Sequence, residues 1–141
     1  MLGDLSLAFI ATSLSQASLP VYTSPWRATF DEQLKNSLQL LPITDEWSSQ
    51  RPSENTLKIT RLLVDEIRRT ELPPPSVTVA ADGSIHIKWR KGSRQFSVMV
   101  MPDQIVEYCF VENGQLVPED GSLAVDQFNR VNEFLGWLLL G

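Results

Sequence analysis

One stretch of alternating residues, between positions 85 and 100, constrains the fold more than any other part of the sequence. Apolar side chains occupy every second position on both sides of a Gly92-Ser93 pair, which is typical of a two-residue hairpin turn. The turn gives three directly opposed apolar pairs: Trp89 with Phe96, Ile87 with Val98, and Ile85 with Val100. Because opposed residues of a hairpin point to the same face, this register predicts an antiparallel sheet with one apolar face.

Three further turn signals extend the sheet in both directions. They lie at Ala81-Asp82-Gly83, at Pro102-Asp103 and at Asn113-Gly114. A three-residue loop at the first site opposes Val79 to Ile85, and a type I′ turn at the last opposes Phe110 to Val117. We therefore predict a four-stranded antiparallel meander over residues 76–118, followed by a polar loop at residues 118–122.

Helical periodicity flanks the sheet on both sides. Thr29 and Glu32 stand in a capping-box relation, which predicts a first helix that begins at Thr29 and closes before Pro42. Ser53 is a good N-cap for a second helix, which three consecutive prolines at 73–75 bring to an end. After residue 122, apolar residues recur with helical spacing up to Leu138, which predicts an amphipathic helix of about four turns.

These elements predict an α+β fold with the helices on one face of the sheet. The chain has 141 residues, enough for a single domain with one core. We divide it into an N-terminal segment (1–25), a helical part (26–72), the sheet (76–118) and a C-terminal helix (123–140).

The composition excludes several classes of function. Twelve basic residues against 17 acidic ones give a net charge of −5, which disfavours binding to the nucleic acid backbone. One cysteine and one histidine cannot form an internal disulfide or a structural zinc site. The glycines form neither a dinucleotide-binding nor a phosphate-binding loop. We therefore predict no cofactor, no metal and no catalytic residue, and a non-catalytic role is favoured.

The apolar run from Leu5 to Ala11 bears on location. It is shorter than the roughly 20 residues that span a bilayer. No basic residue precedes it, and Asp4 stands where an export signal carries positive charge. We expect a cytoplasmic protein without a membrane span. The small residues Ser15 and Ala17 leave an export signal open as the alternative.

The predicted register also places apolar residues on the outer face, the sheet face that points away from the helices. They are Met99, Met101, Ile105, Cys109, Val111 and Leu116. An antiparallel sheet normally turns polar residues to water there, so this patch predicts a protein interface or self-association. The alternative is that the N-terminal segment, through residues 5–10 or 19–22, folds over the same face.

A basic edge is the second candidate site. The bases that we assign to an anion-binding site are His86, Lys88, Arg90 and Arg94, with Lys91 beside them. The alternative is a solvated hairpin whose charges keep an exposed strand from pairing with other chains. A Cys109-His86-Glu107 nucleophilic set can also be drawn, but two strands separate the thiol from its base, about 9–10 Å. Glu107 is expected to reach across the sheet to Lys88.

Residues 45–110 resemble a group of small bacterial proteins without an assigned activity. The resemblance lies in Trp47-Ser48 and Pro52-Ser53 before a helix, then Pro75-x-Val77, Asp82-Gly83 and Ile85-x-Ile87-x-Trp89. It implies no functional residue. The first hypothesis is therefore a protein–protein interaction subunit, antitoxin-like or immunity-like, whose acidic surface offsets a basic partner. The second is a module that binds a small ligand or anion, of unknown identity, at the basic edge.

Overall fold

The computed structural model describes residues 24–40 and 51–141, which form an α+β fold around one antiparallel sheet. The helices are α1 (Pro25–Gln39), α2 (Glu54–Asp65), a 3-10 helix (Val125–Arg130) and α3 (Val131–Leu139). The strands are β1 (Ser76–Val79), β2 (Ile85–Lys91), β3 (Arg94–Val100), β4 (Val106–Glu112) and β5 (Gln115–Leu123). The strands are neighbours in chain order, so the sheet is a meander of five strands rather than the predicted four.

The register predicted from the turns is confirmed at every pair that was named. Trp89 lies opposite Phe96, Val79 opposite Ile85, and Phe110 opposite Val117. Gly83, Gly92 and Gly114 all adopt positive φ at the turns, where a side chain would be strained. The inner-face residues of β2, β3 and β4 are fully buried or nearly so.

The four predicted turns join five strands, so the predicted count of four was one too low, and residues 115–117 pair with β4 as the Asn113-Gly114 turn requires. Residues 118–122, which were predicted as a loop, continue the same strand β5. Val106 pairs with Leu123, and Glu107 pairs with Ser122, so this segment continues the sheet. Between Phe110–Val117 and Tyr108–Gly121, three residues of β5 face the single residue Cys109, which makes a bulge. The bulge interrupts the two-residue period, and the segment is mostly exposed. For these reasons its sequence is typical of a loop.

Helix α1 begins four residues before the predicted start. Ser24 is its N-cap and Pro25 its first residue, a position where proline loses no hydrogen bond and has a suitable φ. The hydroxyl of Thr29 donates instead to the Pro25 carbonyl, at 3.2 Å, so the predicted capping box is not formed. The earlier start adds Trp26 to the buried stripe of Phe30 and Leu34.

Helix α1 also covers the edge of the sheet. The side chain of Gln33 accepts from the backbone N–H of Val77 at 2.7 Å. The hydroxyl of Ser37 donates to the Val77 carbonyl at 3.2 Å. The N–H and the carbonyl of Val77, on the open side of β1, are therefore both hydrogen-bonded to α1.

The other helices follow the predicted caps more closely than the predicted ends. The Ser53 hydroxyl accepts from the Thr56 N–H at 3.0 Å, which confirms the cap of α2. This helix ends at Asp65, before Arg68 and the prolines. The predicted four-turn helix at 123–140 is a 3-10 helix that continues into α3. Buried side chains from α1, α2, α3 and the inner sheet face form one cluster.

Candidate interaction surface on the outer sheet face

Six apolar side chains lie together on the outer face, as the register predicted. We call them the apolar band: Met99, Met101, Ile105, Cys109, Val111 and Leu116. None of them is buried by the described residues; Leu116 is 72% exposed and Ile105 is 46% exposed. The N-terminal segment considered as a cover for this face lies outside the described residues.

The strand pairing makes the band continuous. Val111 lies directly opposite Leu116, and the Met101 N–H donates to the Ile105 carbonyl at 2.9 Å. Cys109 lies two residues before Val111 on β4, on the same face, and is diagonal to Met99 across the β3–β4 pair. Diagonal neighbours in a sheet are about 7–8 Å apart, within reach of long side chains. The band therefore crosses the sheet from the β3–β4 turn to the start of β5.

Three bases line the β2 side of this band. We call His86, Lys88 and Arg90 the basic column, since they alternate with the buried residues of β2. His86 pairs with Met99, Lys88 with Ser97, and Arg90 with Gln95. The Arg90 guanidinium lies 3.4 Å from the Gln95 side-chain oxygen. In the part of the chain that the structure describes, Lys88 has no ion-pair partner.

Arg94 does not lie with the basic column, although it was predicted to form one anion-binding site with these three bases. It lies two residues from buried Phe96 and points to the inner side, where its Nε donates to Glu112 at 3.0 Å. Its guanidinium also donates to the Trp137 carbonyl at 2.7 Å and lies 4.7 Å from the Trp137 ring centroid. Lys91 likewise donates to the Leu139 carbonyl. These cations stabilise the C-terminal end of α3.

Two acids lie within and beside the band: Glu107 lies on β4, between Ile105 and Cys109 in the sequence, and Asp120 lies on β5. Glu107 and Asp120, which we call the acidic pair, line a shallow depression with Met99, Cys109 and Ser122. The register places Glu107 opposite Met99. The predicted contact of Glu107 with Lys88 is absent from residues 51–141, because β3 separates their strands. The outer face therefore carries bases on β2, the apolar band with Glu107 inside it on β3 and β4, and Asp120 on β5.

A hydrogen-bonded series at the β1–β2 turn was missed in the sequence. The Ser84 hydroxyl donates to Asp82 at 2.7 Å, which leaves it to accept from Nε2 of His86 at 3.0 Å. Hydrogen bonds from the side chain and backbone of Ser84, with the nearby His86 charge, lower the pKa of Asp82. The spacing Asp-x-Ser-x-His, on one face of a strand that leaves a turn, is the signal that could have shown it.

This series has the residue types of a hydrolytic triad but not its geometry. In a triad the histidine lies between the serine and the acid, whereas here the serine lies between them. Ser84 is 1% exposed, so its hydroxyl is closed to a substrate. The Cys109-His86-Glu107 set is not assembled either, because Cys109 pairs with Ser97 and His86 pairs with Met99. The series therefore stabilises the turn and holds His86 in place.

Over residues 24–40 and 51–141, no group of three metal-ligating side chains comes together. Within the same ranges, no helix has the length and apolar character needed to cross a bilayer. Comparisons of the chain with protein-family models, with curated proteins and with solved structures found no match.

Proposed function

We propose that this chain is a non-catalytic protein–protein interaction subunit and that the outer face of its sheet is the binding surface. The observation that carries the proposal is the apolar band, two of whose side chains are exposed and four partly exposed, on a sheet face whose edge strand β5 and neighbouring strand β2 carry polar groups. A band of this kind inside a polar rim has the layout of a protein interface.

The size of the band supports this proposal. Six side chains with roughly 50–100 Å² each make a patch of a few hundred Å², the size at which an exposed apolar surface on a soluble protein indicates an interaction. Two of the six are methionines, whose flexible side chains suit adaptable contacts. This proposal covers two kinds of partner: a second copy of the chain, or a basic protein that the net charge of −5 would attract, as for antitoxin-like or immunity-like subunits.

The test is the double variant Met99→Lys/Ile105→Lys in the full chain. Both side chains lie on the outer face, so charges there prevent apolar packing but remain in water in the free protein. A matched control is Asn55→Lys/Leu62→Lys, which adds the same charge at exposed positions of α2. We expect the double variant to lose the partners that the wild type and the control capture from the native host, at an unchanged melting temperature.

Two results would contradict this proposal. If the double variant captures the same proteins as the control, the outer face is not the binding surface. If it unfolds while the control does not, the band is already packed inside the free chain, and charges there have been buried. Thermal melting followed by circular dichroism distinguishes these results.

A second candidate function is anion binding by the basic column. The observation in its favour is that three bases share one face and that Lys88 has no ion-pair partner among the described residues. Titration calorimetry with inorganic phosphate tests it, with Lys88→Gln/Arg90→Gln as the variant. If the wild type shows a heat of phosphate binding that the variant lacks, the basic column is an anion site. If the variant shows the same heat, the phosphate binds elsewhere.

A further inference from the structure

We infer that the occupant of the outer face is a second copy of this chain, bound face to face about a two-fold axis parallel to the strands. This inference rests on the proposed function and adds the identity of the partner. Its basis is the placement of opposite charges on the two sides of the face: the basic column lies on β2 and Asp120 lies on β5, with the apolar band between them.

The two signs of charge cannot satisfy each other within one protomer. Lys88 lies on β2, and Asp120 lies three strands away on β5, which corresponds to about 14 Å at the usual strand spacing. Glu107 on β4 is two strands from the same lysine. Among the described residues, neither acid forms an ion pair, and Lys88 forms none either. The complementary charges are thus available to a second molecule.

Symmetry decides how a second copy would lie. A two-fold axis parallel to the strands, between β3 and β4, places β2 of one copy over β5 of the other. Lys88 then faces Asp120 of the second copy, and the same contact forms twice because a two-fold interface is self-complementary. An axis perpendicular to the strands would instead place β2 over β2 and oppose bases to bases. Charge therefore selects the first arrangement.

The dimensions of the face also suit this arrangement. Packed sheets lie about 10 Å apart, a gap that lysine and arginine side chains bridge from their own sheet to the facing one. The four overlapping strands β2–β5, of about seven residues each, present roughly 450 Å² on each copy, or about 900 Å² in total. This area is that of a weak, transient interface. We therefore expect a reversible dimer that weakens with salt, because part of its attraction is between charges.

The charges also distinguish a second copy from the N-terminal segment as the occupant. Residues 1–23 contain apolar side chains but no lysine or arginine, and Asp4 is their only acidic residue. Such a segment could cover the apolar band but has no base to pair with Asp120. A second copy supplies a partner for both Lys88 and Asp120.

The test is a pair of charge reversals in the full chain, Lys88→Glu and Asp120→Lys, examined by sedimentation equilibrium at low salt. Each single variant should raise the dimer dissociation constant by about tenfold or more, because each places like charges at two symmetric contacts. The double variant Lys88→Glu/Asp120→Lys should return to within about threefold of the wild type. An equimolar mixture of the two single variants should also associate, because each contact then joins opposite charges. Lys58→Glu, an exposed change of equal charge on α2, should leave the constant unchanged.

Three results would overturn the inference. They are a wild type that is monomeric at several hundred micromolar, single variants that associate like Lys58→Glu, and a double variant that does not regain association. The proposed function fails separately. A monomeric wild type whose captured partners still depend on Met99 and Ile105 refutes only the second copy, whereas unfolding of Met99→Lys/Ile105→Lys in a monomeric protein refutes both.

Discussion

Two buried tryptophans allow the contribution of one hydrogen bond to be measured at nearly constant packing. Trp26 of α1 and Trp89 of β2 are each 1% exposed, and their rings meet edge to face with centroids 6.0 Å apart. The Trp26 indole N–H donates to the Arg69 carbonyl at 2.7 Å. The Trp89 indole N–H is buried and has no acceptor in the described part of the chain.

Replacement of either residue by phenylalanine removes the same volume from the same cluster, so the cavity contributions are similar. Trp26→Phe also loses a hydrogen bond with a net value of about 0.5–1.5 kcal/mol and leaves the Arg69 carbonyl without its donor. Trp89→Phe removes a buried donor that is unpaired, which recovers up to about 1–3 kcal/mol. We expect Trp26→Phe to lower the free energy of unfolding by about 2 kcal/mol more than Trp89→Phe does.

Urea unfolding followed by far-UV circular dichroism measures both variants without dependence on tryptophan fluorescence. The slope of the free energy against urea should be unchanged in each variant, because the change is one of stability and not of compactness. The double variant measures the coupling between the two rings. If both single variants lose the same free energy of unfolding, or if Trp89→Phe loses more, the hydrogen bond of Trp26 does not contribute as argued.

Three further predictions concern single side chains. Arg94→Gln should lower the free energy of unfolding in urea by about 1–3 kcal/mol, because it breaks the contacts with Glu112 and Trp137. Arg90→Gln, on the exposed side, should lower it by less than about 0.5 kcal/mol. Similar losses in the two variants would mean that the Arg94 contacts contribute little. The pKa of Asp82 is lowered in the folded chain, so its stabilising contribution is present above the ordinary value of 3.8 and is lost as the pH falls through the folded pKa. Asp82→Asn should therefore reduce the loss of melting temperature below pH 4, and an unchanged pH profile would contradict this. Gly121→Ala should destabilise the sheet by about 1–3 kcal/mol, because its Cβ would lie 2.9 Å from the Tyr108 hydroxyl, while Ser122→Ala at the exposed neighbour should be nearly neutral.

The inner sheet face could be predicted because turn chemistry and alternation give independent information on the same register. Gly92-Ser93 and Asn113-Gly114 each fix one hairpin, and the apolar pairs that follow agree with both. The composition of the outer face follows from the same register, since residues between buried positions must point outwards. The apolar band was therefore visible in the sequence before its exposure was known.

The predictions that failed have different causes. The bulge at Cys109 breaks the alternation of β5, so a strand has the sequence of a polar loop. The start of α1 has a local signal, Ser24 as N-cap before Pro25 at the first helical position, which competes with the capping-box pattern of Thr29 and Glu32. Arg94 lies two residues before Phe96, so its position in the strand places it on the inner face, away from the other bases of the hairpin.

The contact between α1 and β1 limits how sheets of this protein could grow by edge pairing. A polymer that grows by pairing sheet edges needs two open edges on every molecule, one for the molecule before it and one for the molecule after it. Here Gln33 and Ser37 hold both main-chain groups of Val77 on the first edge. Only β5 offers a free edge among the described strands, and there Pro118 lacks an N–H to donate. Edge pairing would therefore stop at two molecules, because α1 blocks the edge at which a third molecule would have to add.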